Sequence, residues 1–343
     1  MKVGMVYGPI FLEHVTGSHP ESPARLEAII TRLEETELIS ELTSIAPRPA
    51  TRAELAAAHF EEYIGYIEEV NAKGGGWLDA DTLMSLLSYQ AALQAAGGSI
   101  RAAEAVMSGE VASAVALVRP PGHHAMPGKA MGFCIFNNIA VAARYLQRKK
   151  LAERILIVDF DVHHGNGTQE VFFRDGGIFY ISTHQSHFYP GTGQIDEVGF
   201  GPGKGFNMNI PLPAGCGDRE YEQVFRELIA PAATRFGPQI VLVSMGFDSH
   251  WKDPLASMRL SLSGILNLMA ILNGLAADCC GGRIAGVLEG GYALDVLAGA
   301  IPQVFELLLG RTPGPDTLGS PPENESFPDI TDTIALVKEA HNL

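Results

Sequence analysis

The chain has 343 residues, 46% of them hydrophobic and 18% charged, with a formal net charge of −15. That composition supplies a large core and excludes an intrinsically disordered chain, while the acidic balance speaks against a phosphate-binding surface for nucleic acid and suits a cationic substrate. The four cysteines, Cys134, Cys216, Cys279 and Cys280, contain no C-x-x-C pair, so neither a disulfide framework nor a cysteine-rich zinc site is expected and a reducing cytoplasm fits best.

The opening residues, MKVGMVYGPIF, read as a strand over Lys2–Tyr7 and lack the apolar region and cleavage site of a signal peptide. Ser22–Glu35 carries Leu26, Ile29, Ile30 and Leu33 at helical spacing, and Thr51 with Glu54 forms a capping box ahead of a helix. A helix over Gln90–Met107 leads to a strand at Ser113–Val118. Next come a helix over Phe136–Lys150 and strands at Arg154–Phe160 and Gly177–Thr183. The remaining order is helix Asp218–Phe236, strand Gln239–Ser244, helix Ser261–Ala277, strand Arg283–Leu288 and helix Tyr292–Leu309. The strands are short and almost continuously apolar, as in a parallel sheet buried on both faces. Strand and helix in alternation predict a single α/β domain with a mostly parallel central sheet over residues 1–312. The segment Thr312–Asp329, rich in Pro, Gly and acidic residues, reads as surface chain before a last helix, Thr331–His341, so 313–343 packs on the same domain. No run of about 18 apolar residues suggests a membrane span.

Unusual polar residues fall where strands end, and in open α/β sheets ligands bind at those ends. Asp159, Asp161 and His163 alternate in Ile155-Leu-Ile-Val-Asp-Phe-Asp-Val-His-His-Gly-Asn-Gly167, so an extended chain points them to one side. Asp248 follows another strand, in Ser244-Met-Gly-Phe-Asp-Ser249. One His and two carboxylates make a zinc site with a position left open for water, although manganese or iron(II) also suits these donors. Tandem His123 and His124 stand in a Pro-Pro-Gly loop and read as proton handlers. Tyr292, after Glu289-Gly-Gly, can donate to a developing oxyanion. Taken singly, each of these has a bland alternative, such as a capping Asp, a surface His pair or a core Tyr; together they do not. The glycine-rich run Gly199–Gly205 neither follows a clear strand nor opens a helix, and reads as a loop.

The segments RPPGHHA, MGFCIFNN, DFDVHHGNGTQ, YPGTG, GFDSHWKDPLA and LEGGY, with HPESPARL near the start, resemble those of the histone deacetylase family. The likeness runs from about His19 to about Leu309 and lies nearer the class II branch, with its bacterial amidohydrolase and acetylpolyamine-deacetylating members. The resemblance implies an arginase/deacetylase-like fold and hydrolysis of an N-acyl amide, such as acetyl-lysine, to a carboxylate and an amine. It implies one zinc on Asp161, His163 and Asp248, with His123, His124 and Tyr292 catalytic. Asp159 would orient His123 and Asn166 would orient His124. Gly132, Phe133 and Tyr189 would line the channel; relatives usually carry Phe where Tyr189 stands. Asp79 or Asp81 would hold the substrate at the mouth, and Leu255 would occupy the position that is acidic in polyamine-selective relatives. One potassium ion would lie near Asp159, Asp161, His163, Ser182 and Thr183, and a second near Phe172, Asp175, Ile178 and Phe206. No nucleic-acid or membrane partner is expected, and a homo-oligomer stays open. Two competing readings are weaker. A binuclear ureohydrolase would need more Asp ligands than His163-His164-Gly-Asn166 supplies, and a non-enzymatic acetyl-group reader has no use for the metal set.

Overall fold

The computed structural model describes residues 2–322 and 327–343. Ten strands are present among them: β1 (Val3–Val6), β2 (Thr43–Ile45), β3 (Gly76–Trp77), β4 (Leu83–Met84), β5 (Ser113–Ala116), β6 (Ile155–Asp159), β7 (Ile178–Gln185), β8 (Asn207–Leu212), β9 (Ile240–Met245) and β10 (Ile284–Leu288). Eight form one sheet in the order β2-β1-β5-β10-β9-β6-β7-β8, every pair parallel. β3 and β4 form a separate antiparallel hairpin. The central strands are buried at every position, which explains their unbroken apolar sequence. Helices cover the sheet, the longest being Ser88–Ser108 and Leu262–Cys280.

The α/β architecture with a mostly parallel sheet is therefore as the sequence predicts, and the differences are local. β2 and β8 escape a reading by apolar runs. β2 has three residues, and β8 (NMNIPL) alternates Asn with apolar residues and contains Pro211. Both are edge strands, where a proline costs no central ladder bond. The helix Glu61–Ala72 and the short helix Asn166–Phe172 are also absent from the sequence reading. The span expected as one helix from Asp218 to Phe236 contains a π-helical turn, Phe225–Ile229, just before Pro231, whose missing N–H breaks the regular ladder. Leu262–Cys280 is long and apolar enough to cross a membrane, but Ile265, Leu268, Met269 and Leu272 are buried in the fold, as in a core helix. The final helix, Thr331–His341, packs beside β8 through buried Ile334 and Val337.

Candidate active site

Four adjacent strands, β5, β10, β9 and β6, end side by side, and the loop after each delivers a different group. His123 and His124 follow β5, Tyr292 follows β10, Asp248 follows β9, and Asp161 and His163 follow β6. The sheet order thus brings together residues up to 169 positions apart in sequence, His123 and Tyr292 being the widest pair.

His163 Nδ1 lies 3.1 Å from Asp161 Oδ1 and 3.2 Å from Asp248 Oδ2, and the three donor atoms fall within 4.8 Å of one another. Asp161 and Asp248 are wholly buried. The remaining oxygen of each carboxylate is tied to backbone: Gly290 N donates to Asp161 Oδ2 (2.8 Å) and Val162 N to Asp248 Oδ1 (2.9 Å). This leaves one oxygen of each aimed at the imidazole. A Cβ on Gly290 would stand 2.2 Å from Asp248 Oδ2, so only glycine lets the backbone approach. Burial and the Asp161 charge push the Asp248 carboxyl up to about 7. Burial opposes the charged form of Asp161, but His123 and His163 hold its carboxyl below the ordinary range. Two buried carboxylates on one imidazole call for a shared cation, and one nitrogen with two oxygens suits zinc with an open coordination position. Phe188, which sequence reasoning missed, stacks on His163 at 5.3 Å and fixes its ring.

The tandem histidines differ in charge. His123 Nδ1 donates to Asp159 Oδ2 (3.1 Å), and Tyr180 donates to the same oxygen (2.9 Å). Burial alone would lower the His123 pKa, but the Asp161 and Asp159 charges override it and push it up to about 10. His124 Nδ1 donates to Asn166 Oδ1 (2.8 Å), while the Asn166 amide nitrogen faces the Met131 sulfur. Burial and the charges of His123 and His163 hold His124 well below the ordinary histidine range. His124 is therefore neutral, with its Nε2 lone pair free to accept a proton.

A cavity of about 80 Å³ opens onto these groups, lined by Asp81, His124, Gly132, Phe133, His163, Tyr189, Leu255 and Tyr292. Gly132 and Phe133 both have positive φ (57° and 68°), and a Cβ on Gly132 would stand 2.3 Å from the His124 ring. The left-handed Phe133 is a strained conformation held by its surroundings. Its amide donates to Thr82 Oγ1, and its ring packs edge-on against Tyr292 (5.8 Å) and His19 (4.4 Å). Tyr189 stands edge-on to His124 at 5.1 Å. Of the two mouth-loop carboxylates, Asp81 reaches the cavity, where it accepts from Gly132 N (3.2 Å). Asp79 Oδ1 accepts from the Asp81 and Thr82 amides and caps the β3–β4 turn, so this oxygen is committed to the turn that presents Asp81. A larger hollow of about 470 Å³ lies between Lys2, Gly109 and Arg283, at the opposite ends of the strands, and has no His, Asp, Cys or Tyr in its wall.

The positions suggested for potassium are also distributed by the sheet. Asp159 and Ser182 are paired in register between β6 and β7, and Ser182 Oγ lies 2.9 Å from His184 Nδ1. Thr183 Oγ1 is buried without a hydrogen-bond partner. At the second position the Asp175 side chain is engaged by Arg144, Gln147 and the Gly177 amide, and Arg144 also stacks over Phe172 at 4.6 Å. The Asp175 carboxylate is therefore committed to these partners, and an ion there would depend on backbone oxygens.

A buried charge network behind the site was missed by the sequence reading. Glu21 binds Arg119 (2.5 Å) and Arg25 (3.2 Å). Arg25 also donates to Gly291 O (2.7 Å) and Glu289 O (2.5 Å) and lies over the Tyr292 ring. Asp253 Oδ2 accepts from the Tyr292 amide at 2.7 Å. The Tyr292 loop is thus held from both sides. Burial and nearby Asp248 and Asp161 raise the Tyr292 pKa well above 10 despite Arg25, so its hydroxyl stays protonated and can donate.

Residues 19–308 match the histone deacetylase domain. The chain is 38% identical to a protein of Archaeoglobus fulgidus named "Probable deacetylase", over all of this chain and 96% of that protein. It is 39% identical to histone deacetylase 14, chloroplastic, of Arabidopsis thaliana, over 97% of this chain and 83% of that protein. The solved HDA15 HD domain superposes with a TM-score of 0.89 at 35% identity, covering 99% of this chain and 94% of that one. With its parallel sheet, its strand-end residues and these relatives in agreement, the chain belongs to the histone deacetylase family of hydrolases.

Proposed function

We propose that the protein is a zinc-dependent deacetylase that removes a short acyl group, such as acetyl, from a lysine-like side chain. The observation that carries this reading is the meeting of the Asp161–His163–Asp248 cluster, neutral His124 and Tyr292 at one narrow cavity. Zinc, when bound, supplies Lewis acidity toward the acyl carbonyl and the attacking water. His124 Nε2 accepts a proton from that water. Tyr292 donates its hydroxyl to the carbonyl oxygen as negative charge develops there. The proton taken by His124 returns to the leaving amine, so water and amide become a carboxylate and an amine. His123, held by Asp159, stands beside the reacting groups, and the nearby carboxylates favour its imidazolium form. The partnerless Thr183 hydroxyl and the Asp159–Ser182 register support a potassium ion at the first position. Four unpaired cysteines support a reducing, cytoplasmic setting.

The apolar walls at Phe133, Tyr189 and Leu255 suit the methylenes of an acyl-lysine. Asp81 at the mouth supports a second reading, an acetylated polyamine whose distant ammonium needs a counter-charge. A hydrolysis screen of the zinc-loaded protein with acetyl-lysine peptides, N-acetylputrescine and acetylspermidine decides between them. We expect higher kcat/KM for the peptides. Leu255→Glu should move the ratio toward polyamines two- to fivefold, the effect of a solvent-screened ion pair of about 0.5–1 kcal/mol. A wild-type preference for polyamines that Asp81→Asn abolishes would establish the second reading instead.

The Asn166 carboxamide gives a pH prediction. Asn166 accepts from His124 without adding charge, and His124 stays neutral. An aspartate at the same place would favour the imidazolium and raise its pKa. In Asn166→Asp the acid limb of kcat/KM should therefore move to higher pH. A limb that stays in place, or moves down, would exclude His124 as the base.

A further inference from the structure

Glu289 opens the loop that carries Tyr292, yet its carboxyl group serves a different loop. Oε2 accepts from Gly122 N (2.7 Å) and His123 N (3.1 Å), and Oε1 lies 3.4 Å from Ser244 Oγ. The Glu289 backbone is fixed in turn, donating to Met245 O and accepting from Arg25. The side chain is completely buried. Gly122 and His123 follow Pro120 and Pro121, which have no N–H, so they carry the first donors after the prolines. Without Glu289 both donors would be buried and unpaired, and the loop would have to shift to satisfy them.

We propose that Glu289 is a positioning residue whose carboxyl group sets the His123–His124 loop in register with the Tyr292 loop. This rests on the reading of these histidines and Tyr292 as the reacting groups. Both hydrogen bonds end on one oxygen, so the required property is an acceptor at that point rather than a charge. Burial raises the Glu289 pKa to about 7, but either protonation state leaves Oε2 able to accept, with any proton on Oε1 facing Ser244. Gln preserves this arrangement, its amide nitrogen lying on the Ser244 side. Asp keeps the charge but falls short by about one C–C bond, roughly 1.5 Å.

The test compares Glu289→Gln, Glu289→Asp and Glu289→Ala with the wild type. Three measurements are made on each: kcat and KM on an acetyl-lysine peptide, zinc content, and amide hydrogen exchange at Gly122 and His123 in the metal-free protein. We expect kcat within about threefold of wild type for Gln and a fall of roughly 10- to 100-fold for Asp and Ala, with KM and zinc content little changed. The two amides should remain protected in the Gln variant and lose protection in the Asp variant. Should the Ala variant fail to fold, the Gln-above-Asp ordering still carries the test. An Asp variant with wild-type kcat and protected amides, or a Gln variant as slow as Asp, would overturn the proposal. If the wild type hydrolyses no acyl amide, the functional reading falls, while amide protection still judges the role of Glu289.

Discussion

His163→Ala and Asp248→Ala should each reduce hydrolysis to background and strip the protein of its metal. A site of three protein ligands has none to spare, since the remaining position serves the reaction. Each substitution also leaves buried groups uncompensated. With Asp248 gone, the Val162 amide loses its acceptor and His163 keeps only Asp161; with the His163 ring gone, the two carboxylates face each other with no imidazole between them. Breaking a buried ionic set costs about 3–5 kcal/mol, so the variants should also melt earlier than the metal-free wild type. Elemental analysis alongside turnover checks this. Full metal content with normal kcat in either variant would remove that residue from the ligand set. The proton balance offers a second check. Burial lowers the His163 pKa, but the two carboxylates override it and, without metal, push it up to about 10. Metal binds the neutral imidazole, so loading at neutral pH should release roughly one proton or more per ion and tighten as pH rises. Calorimetry in buffers of different ionisation enthalpy measures that number.

Tyr292→Phe should leave fold and metal content intact while kcat falls by roughly 10²–10³, the range for one lost oxyanion donor. The hydroxyl makes no hydrogen bond to another described residue, so its removal leaves no protein group unpaired. The ring contacts with Phe133 and Arg25 survive in phenylalanine. A loss confined to KM would mean that Tyr292 binds the substrate and does not stabilise charge in the transition state. An unchanged kcat would remove it from the reaction.

Much of this site could be read from the sequence because a parallel sheet leaves a plain record. Strands buried on both faces appear as apolar runs, and the polar residues that interrupt them, Asp161, His163, Asp248 and the paired histidines, stand out at the strand ends. Edge strands leave no such record, which is why β8, with Asn207, Asn209 and Pro211, carries no apolar run to mark it. Arg25, Glu21 and Arg119 were invisible for a different reason. Charged residues on a helix or in a loop are normally solvated, and nothing local marks these as wholly buried. The Arg119–Glu21 and Arg25–Gly291 contacts span 98 and 266 positions. Glu289 and Asp253 were visible inside motifs, but their backbone acceptor roles exist only once two loops meet. Asp79 and Asp81 differ by two positions, and only the geometry of the turn determines which one faces the cavity.

The Arg25–Gly291 contact also governs when the enzyme can first act during its own synthesis. Its partners are separated by 266 positions. A ribosome adding about 5–20 residues per second needs roughly 13–53 s to cover that distance. In that interval Arg25 has neither carbonyl to bind, Tyr292 does not yet exist, and β5 and β9 lack the strand that joins them. A nascent chain halted before Ile284 would hold the histidine loop after β5 and the proposed ligands after β6 and β9 on separate pieces of sheet, with no Gly290 amide for Asp161 and no Tyr292. Assembly of the site must therefore wait for the last central strand, and turnover with it.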